Sequence, residues 1–437
     1  MRPCPSIVYY GDDFTGATDT LGTAARAGLR ALLFLKVPDA ARLDRTGPLD
    51  VLGIAGASRA MTPEEMRTEL RPVAALFRSL GARVLHYKTC STFDSAPHIG
   101  SIGAAVRTLR AAVQQPWTAI VGGQPNLGRY CLFGNLFAAA GSGAQVHRVD
   151  RHPTMSIHPV TPMDEADLRL HLAKQGLADV RSMPFTAASR GCEALDTALR
   201  QTLDLPPADA VLFDVADAMQ LRAIGQVLWT RAQGATLLAA GPSSVVDALA
   251  MALPHPGGDS APPARAGMPP ANGPVLVLAG SLSPVTARQV ATAKSFDIVR
   301  LDAQKLAQRG AADQAEAIIR RLAHGHHVLA CTRAPGPVPS GIGLDAQALA
   351  RAGGELLAQV LAAVPLKRIG VAGGDTSSHG VQALDAWALS YLADMGAGTS
   401  LCRLHSDDAS LDGLEIMLKG GQMGSDDVFE RLVHGFP

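Results

Sequence analysis

A chain of 437 residues is too long for one ordinary hydrophobic core and points to two domains. Its hydrophobic class reaches 47% and its charged residues only 18%, which suits a buried-sheet α/β protein and argues against a disordered chain. The 39 basic and 39 acidic residues cancel and form no long run of either sign, which argues against nucleic acid or a membrane surface as partner.

The first element is the apolar, β-prone run Ile7 to Tyr10, which leaves through Gly11 into Asp12-Asp13-Phe14-Thr15-Gly16-Ala17. Thr15 is the expected N-cap of a helix that ends near Gly28. Backbone N–H groups at such a helix start favour anions, while Asp12 and Asp13 suit a metal ion or a proton taken from a hydroxyl. Taken alone, the two aspartates fit helix capping equally well. The run is strand-length and is followed at once by these charges, so no cleavable signal pattern is expected.

A strand from Asp50 to Ala55 leads to Gly56-Ala57-Ser58-Arg59, where Arg59 reads as a surface residue or as a clamp for a carboxylate or phosphate. A helix follows from Pro63 to about Leu80, with Thr62 as its cap. Arg83 to Lys88 is the next strand. It opens into Thr89-Cys90-Ser91-Thr92-Phe93-Asp94-Ser95, and a helix is expected from about His98. A strand-end lysine followed by four hydroxyl side chains and a carboxylate suits a small polyhydroxylated anion, or else a solvated loop.

Trp117 to Val121 is a strand that opens into Gly122-Gly123-Gln124-Pro125-Asn126-Leu127-Gly128-Arg129. The connection from His147 to Met163 carries His152-Pro153 and His158-Pro159 and reads as a proline-restrained loop rather than a metal site, with a helix from about Asp164. Two further strand and helix pairs, Ala210 to Val215 with a helix to Ala232 and Thr236 to Ala240 with a helix to Leu253, complete the first half. Such alternation implies a mainly parallel sheet covered on both faces.

Residues 254–273, rich in Pro, Gly and Ala, form the expected linker between a domain at 1–253 and one at 274–437. The second half restarts with Val275 to Ala279, then Gly280-Ser281-Leu282-Ser283-Pro284 opening a helix to about Lys294. Arg368 to Ala372 leads to Gly373-Gly374-Asp375-Thr376-Ser377, and Leu414 to Leu418 leads to Lys419-Gly420-Gly421-Gln422-Met423-Gly424. Three glycine turns at strand ends expose backbone N–H groups and point to nucleotide phosphates, with Lys419 the cation placed to meet them. No P-loop and no G-x-G-x-x-G fingerprint at a strand-to-helix turn is present. His324-Gly325-His326-His327 reads as a solvated helix exit before the strand Val328 to Cys331. The six cysteines show no C-x-x-C spacing, so neither zinc nor a disulfide framework is indicated and a reducing cytoplasm is the expected setting.

Together, Asp12 to Ala17, Lys88 to Ser95, His158 to Met163, Gly280 to Ser283, Gly373 to Ser377 and Lys419 to Gly424 resemble the four-carbon acid sugar kinase family, in order and over essentially the whole chain. The resemblance implies two α/β/α domains with mainly parallel sheets, the first for substrate and the second for nucleotide, and an active site in the cleft between them. It implies substrate contacts at Asp12, Arg59, Lys88, Thr89, Cys90 and Ser91, and ATP contacts at Ser281, Gly373, Gly374, Asp375, Thr376, Gly421, Gln422, Met423 and Gly424. The Cys-Ser-Thr-Phe-Asp-Ser turn is closer to the 3-oxo-tetronate kinases than to the threonate and erythronate kinases, which stand as the alternative. The expected reaction is transfer from ATP, with Mg²⁺, to the terminal hydroxyl of a four-carbon acid sugar. Asp12 is the candidate base and Asp13 holds it or the metal, whose ligands are otherwise unassigned. The expected partners are a small sugar acid and ATP, and the reading admits a homodimer. A Mg²⁺-dependent phosphatase would need Asp-x-Asp rather than adjacent aspartates, and a non-catalytic sensor is the remaining rival.

Overall fold

Short runs of apolar, β-prone residues separated by glycine turns and amphipathic helices are what the sequence supplies, and strands mostly of four or five residues are what they form. A computed structural model describes residues 4–140, 145–158, 160–206, 208–253, 267–281, 283–309, 312–332, 346–396 and 398–437. Pro159, Leu282 and linker residues 254–266 lie outside the described residues, as does the side chain of Asp375. The chain divides into two units, Met1–Pro263 and Ala264–Pro437.

The first unit holds β1 (Ile7–Gly11), β2 (Ala31–Phe34), β3 (Val51–Ala55), β4 (Val84–Lys88), β5 (Thr118–Val121), β6 (Arg129–Leu132), β7 (Asn135–Ala139), β8 (Val146–Arg148), β9 (Val180–Met183), β10 (Ala210–Phe213) and β11 (Leu237–Gly241). They lie in the order β2-β3-β1-β4-β11-β5-β10-β9, with neighbours parallel. Every residue of β1, β4 and β11 is buried, so both faces of the sheet are covered. Helices cross closely where glycine permits it: a side chain at Gly225, in the helix Ala218–Gly234, would run into the Ala248 carbonyl of the helix Ser244–Ala250.

Several local expectations are corrected. Asp13, not Thr15, caps the first helix, Phe14–Arg26: its backbone is extended (φ −141°, ψ 162°) and its carboxylate accepts from Gly16 N at 2.9 Å. The helix expected from His98 begins at Ile102, because Gly100 has φ 59° and Ser101 supplies the cap. The helix expected from Asp164 is Leu168–Ala173, capped by Asp167. β6, β7 and β8 form a separate antiparallel sheet that the alternation of strands and helices did not reveal. Asp214, at the end of β10, accepts from the N–H groups of Phe133 (2.5 Å) and Gly134 (3.0 Å) and ties down the β6–β7 turn.

The second unit holds β12 (Val275–Ala279), β13 (Phe296–Arg300), β14 (His327–Cys331), β15 (Arg368–Ala372), β16 (Ala388–Gly396), β17 (Thr399–His405) and β18 (Glu415–Lys419). The order is β13-β14-β12-β15-β18-β17-β16, parallel up to β18 and antiparallel beyond it. Met268 exchanges backbone hydrogen bonds with Phe436 (2.8 and 2.9 Å) and is buried, so the end of the expected linker packs as part of this unit. In each sheet the strand order reverses around the first strand: β3 and β4 flank β1, and β14 and β15 flank β12. Crevices at the carboxyl ends of strands on either side of such a reversal are where α/β folds bind ligands.

Candidate active site

The reversal in the first unit gathers Asp12, Asp13, Arg59 and Lys88. Arg59 N donates to the Asp12 carbonyl at 3.0 Å, and Asp12 N donates to the Lys88 carbonyl at 2.9 Å, so the exits of β1, β3 and β4 are laced together by backbone. The Arg59 guanidinium forks onto both Asp12 oxygens at 3.1 and 2.8 Å and reaches Asp13 at 3.0 Å. Asp13 also accepts from Thr15 Oγ1 at 2.8 Å. Lys88 Nζ donates to the Thr89 carbonyl at 2.7 Å. A side chain at Gly16 would run into both Lys88 Nζ and Asp13 Oδ1, so glycine is required there for the ammonium to approach the carboxylate.

The two aspartates are electrostatically distinct. Burial raises the Asp12 carboxyl above the ordinary carboxylate range, with Arg59 pulling it down and the Asp13 charge adding to the rise. Burial also opposes ionisation of Asp13, but Arg59, Lys88 and the bonds from Thr15 and Gly16 hold it below its ordinary value. Arg59 is raised well above its usual value, the two carboxylates outweighing its burial. Neighbouring acids pushed apart in this way divide the roles of proton acceptor and fixed anion.

The polar turn after β4 is braced from beneath. Cys90 Sγ lies 3.1 Å from Thr92 Oγ1, and burial with the Asp94 charge pushes its thiol up to about 11, so it stays protonated at neutral pH. Thr89 is buried and Ser91 partly so. The histidines of the following loop cap turns: His152 Nδ1 accepts from Thr154 N (3.1 Å) and Met155 N (3.2 Å), and His158 Nδ1 accepts from Thr161 N (3.1 Å). His326 pairs with Asp297 at 3.0 Å, and His327 Nδ1 accepts from Val275 N at 3.0 Å.

The reversal in the second unit brings Ser281, Gly373, Gly374, Thr376 and Gly421 together. Side chains at Gly280 and Gly421 would run into Thr376 Oγ1 and Ser281 Oγ respectively, so the three strand exits touch at glycine. The helix Gly374–Gln382 starts without a side-chain cap after Gly373 (φ 130°), and nothing lies within 4 Å of a Cβ placed at Gly374. An uncapped helix start facing open space is an anion site in form. Gln422 is exposed, and Met423 leans on Gly398.

Lys419 was read from the sequence as the cation at the last glycine turn, whereas Thr286, Gln289, Gln124 and Ser243 escaped that reading. Lys419 is fully buried beneath the last glycine turn, donates to Thr286 Oγ1 at 3.2 Å, and is lowered by burial to about 8. Thr286 in turn donates to the Gly421 carbonyl at 2.9 Å. Gln289 Nε2 clamps the carbonyls of Met423, Gly424 and Ser425 at 3.0, 3.1 and 2.9 Å. In the first unit, Gln124 Nε2 donates to Ser243 Oγ at 2.7 Å, and Ser243 donates to Asp19 at 2.5 Å, joining the exits of β5 and β11 to the first helix. Their serine and glutamine signals are common ones, and only the folded pairing sets them apart.

Residues 7–249 match the model of a sugar-binding N-terminal domain and residues 276–429 that of a nucleotide-binding C-terminal domain. The chain is 38% identical to a 3-oxo-isoapionate kinase of Paraburkholderia graminis, over 98% of this chain and 94% of that protein. It is 31% identical to a 3-oxo-tetronate kinase of Cupriavidus necator, over 98% and 96% respectively. Crystal structures of a Salmonella typhimurium LT2 protein (TM-score 0.78, 24% identity, 98% of each chain) and a Haemophilus influenzae protein (TM-score 0.73, 22% identity, 97% and 98%) share the fold. No helix among the described residues is long and apolar enough to cross a membrane. With both domain models matched and kinase relatives aligned along its length, the chain belongs to the four-carbon acid sugar kinase family.

Proposed function

We propose that this kinase transfers the γ-phosphoryl group of ATP to the terminal hydroxyl of a 3-oxo acid sugar with a four-carbon backbone. The observation that carries the reading is the split pair at the end of β1, with Asp12 raised and Asp13 lowered around one guanidinium. Asp12 takes the proton of the attacking hydroxyl and becomes neutral, and Arg59 holds Asp12 in place and stabilises its carboxylate until that proton arrives. Lys88 and the hydroxyls of the following turn orient the polyol. The backbone N–H groups at Gly373 to Thr376 and the Gly421 to Gly424 turn receive phosphate oxygens, Lys419 supplies positive charge below them, and Ser281 lines the same turn.

Among the described residues no group of three or more His, Cys, Asp or Glu is placed to hold a metal ion. That fits Mg²⁺, which travels with nucleotide phosphates and keeps most of its shell as water and phosphate oxygen. Asp13, with a quarter of its side chain exposed, is the carboxylate this reading assigns to it. When bound, the ion supplies charge neutralisation at the phosphates.

The substrate class follows the relatives named for 3-oxo-isoapionate and 3-oxo-tetronate, with threonate and erythronate as the alternative. A coupled ADP-release assay across 3-oxo-isoapionate, 3-oxo-tetronates, threonates and erythronates, read as kcat/KM, tests it. A 3-oxo acid is expected to lead by at least about tenfold. A threonate or erythronate in the lead reverses the substrate assignment, and ADP release with none of them removes the kinase reading.

A further inference from the structure

The last glycine turn of the second unit is held from one side by a single helix, Pro284–Thr292. Ser283 caps that helix by accepting from Val285 N at 3.1 Å, and Ser283 N donates to Ser281 Oγ at 3.1 Å, so the helix starts at the β12 exit. Thr286 and Gln289 stand one turn apart on the same helix face, and both are buried. Thr286 Oγ1 donates to the Gly421 carbonyl at 2.9 Å. Gln289 Nε2 lies 3.0, 3.1 and 2.9 Å from the carbonyls of Met423, Gly424 and Ser425. At the far end of the helix Thr292 Oγ1 is 2.5 Å from the Asp426 carbonyl, and Arg288 Nε reaches the Asp426 carboxylate at 3.3 Å.

In a planar trans peptide the C=O and the following N–H point in opposite directions. Carbonyls drawn to the helix at Gly421, Met423, Gly424 and Ser425 therefore turn the N–H groups of Gln422, Gly424, Ser425 and Asp426 away from it. None of these four N–H groups donates to a backbone carbonyl among the described residues, and all four residues are partly or well exposed. Gly424 has φ 84°, and a Cβ there would meet Thr399 Oγ1 at 3.2 Å and Gln289 Nε2 at 3.4 Å, so glycine lets the turn close on the clamp. Unpaired N–H groups presented by a turn with a left-handed residue form a concavity that suits phosphate oxygens.

Stability alone does not favour this arrangement. The Gln289 amide nitrogen faces three acceptors, which leaves its Oε1 buried and bare, as is Thr399 Oγ1 on the other side of Gly424. Beneath the turn the Lys419 ammonium is fully buried, its Nζ 3.2 Å from Thr286 Oγ1, and no carboxylate pairs with it among the described residues. One hydroxyl thus accepts from the ammonium and donates to the turn.

We propose that Thr286 and Gln289 are positioning residues for ATP: by drawing the carbonyls of the last glycine turn onto the helix they aim its N–H groups at the phosphates, and Thr286 fixes Lys419 beneath them. The inference rests on the kinase reading above and names what shapes its nucleotide turn.

The test compares wild type with Gln289→Met, Thr286→Val and Thr286→Ser, by calorimetric titration with ATP, initial-rate kinetics in both substrates and thermal unfolding. Gln289→Met keeps the length of the side chain while removing both the clamp and the bare oxygen. Gln289→Met and Thr286→Val are each expected to raise the Kd and the KM for ATP by about tenfold, with the KM for the sugar acid within about twofold of wild type. Thr286→Ser, which keeps the hydroxyl, stays within about twofold of wild type for ATP. The Tm of Gln289→Met is expected within about 3 °C of wild type, since the freed carbonyls of an exposed turn find water. A larger fall in Tm with unchanged ATP affinity in the folded protein marks a merely structural clamp and overturns the proposal. Wild-type ATP affinity in Gln289→Met or Thr286→Val, or a loss in Thr286→Ser as large as in Thr286→Val, overturns it too and leaves the kinase reading standing. A wild type with no affinity for ATP overturns both.

Discussion

Asp12 and Asp13 are adjacent in the chain, yet the fold gives them opposite surroundings, and that contrast organises the site. Asp13 caps the helix start, pairs with Arg59 and keeps a quarter of its side chain exposed, whereas Asp12 is buried in the exit of β1 and raised by that burial. The pair was visible in the sequence as a motif, but its partner lies 47 residues away and only parallel strand order brings it back. Gln289 was harder to see, since packing alone brings it the three carbonyls of the last glycine turn. Lys419 carries a prediction at this scale. Burial lowers its ammonium to about 8, and bound phosphate favours the charged form. ATP binding is therefore full below about pH 8 and weakens above it, with a proton taken up on binding. A KM for ATP that rises from pH 8 to 9.5, and a calorimetric binding enthalpy that varies with the ionisation enthalpy of the buffer as proton uptake requires, are expected; a flat profile contradicts the assignment.

At the scale of elements, the proposed function assigns to three glycine turns the work that a single phosphate loop does elsewhere. Gly373 combines a φ of 130°, which L side chains rarely adopt, with a Cβ position that would crowd Thr376 Oγ1 at 2.9 Å. Gly373→Ala introduces roughly 1–3 kcal/mol of strain in that turn. It should raise the KM for ATP by about tenfold with the KM for the sugar acid unchanged, as initial-rate kinetics in both substrates will read. Parallel strands such as β1, β4, β12 and β15 were legible as short apolar runs that end in turns, whereas the parallel strands β2, β9 and β13 were not read. The β6–β7–β8 sheet and the β16–β17 hairpin were not. Their strands mix exposed and buried positions, and β6 and β7 are joined by a turn held from outside by Asp214 rather than by a turn motif of its own. The start of the Ile102–Arg110 helix was missed because Gly100 spends residues on a turn that the apolar pattern does not record.

For the molecule as a whole, chemistry is divided between two units built on the same plan, each placing its polar residues where strand order reverses around its first strand. The Pro/Gly/Ala stretch marked the boundary in the sequence by its lack of periodicity. The packing of Met268 on Phe436 did not show there, because it is a backbone pairing with residues at the far end of the chain. The division predicts that substrate activation and ATP binding fail separately. Kinetics of Asp12→Asn, with ATP affinity measured on the same preparation, test this most directly. kcat should fall by roughly 10²–10⁴, as expected when a general base is removed, while ATP affinity stays at the wild-type value. Near-normal turnover in that variant would contradict the account.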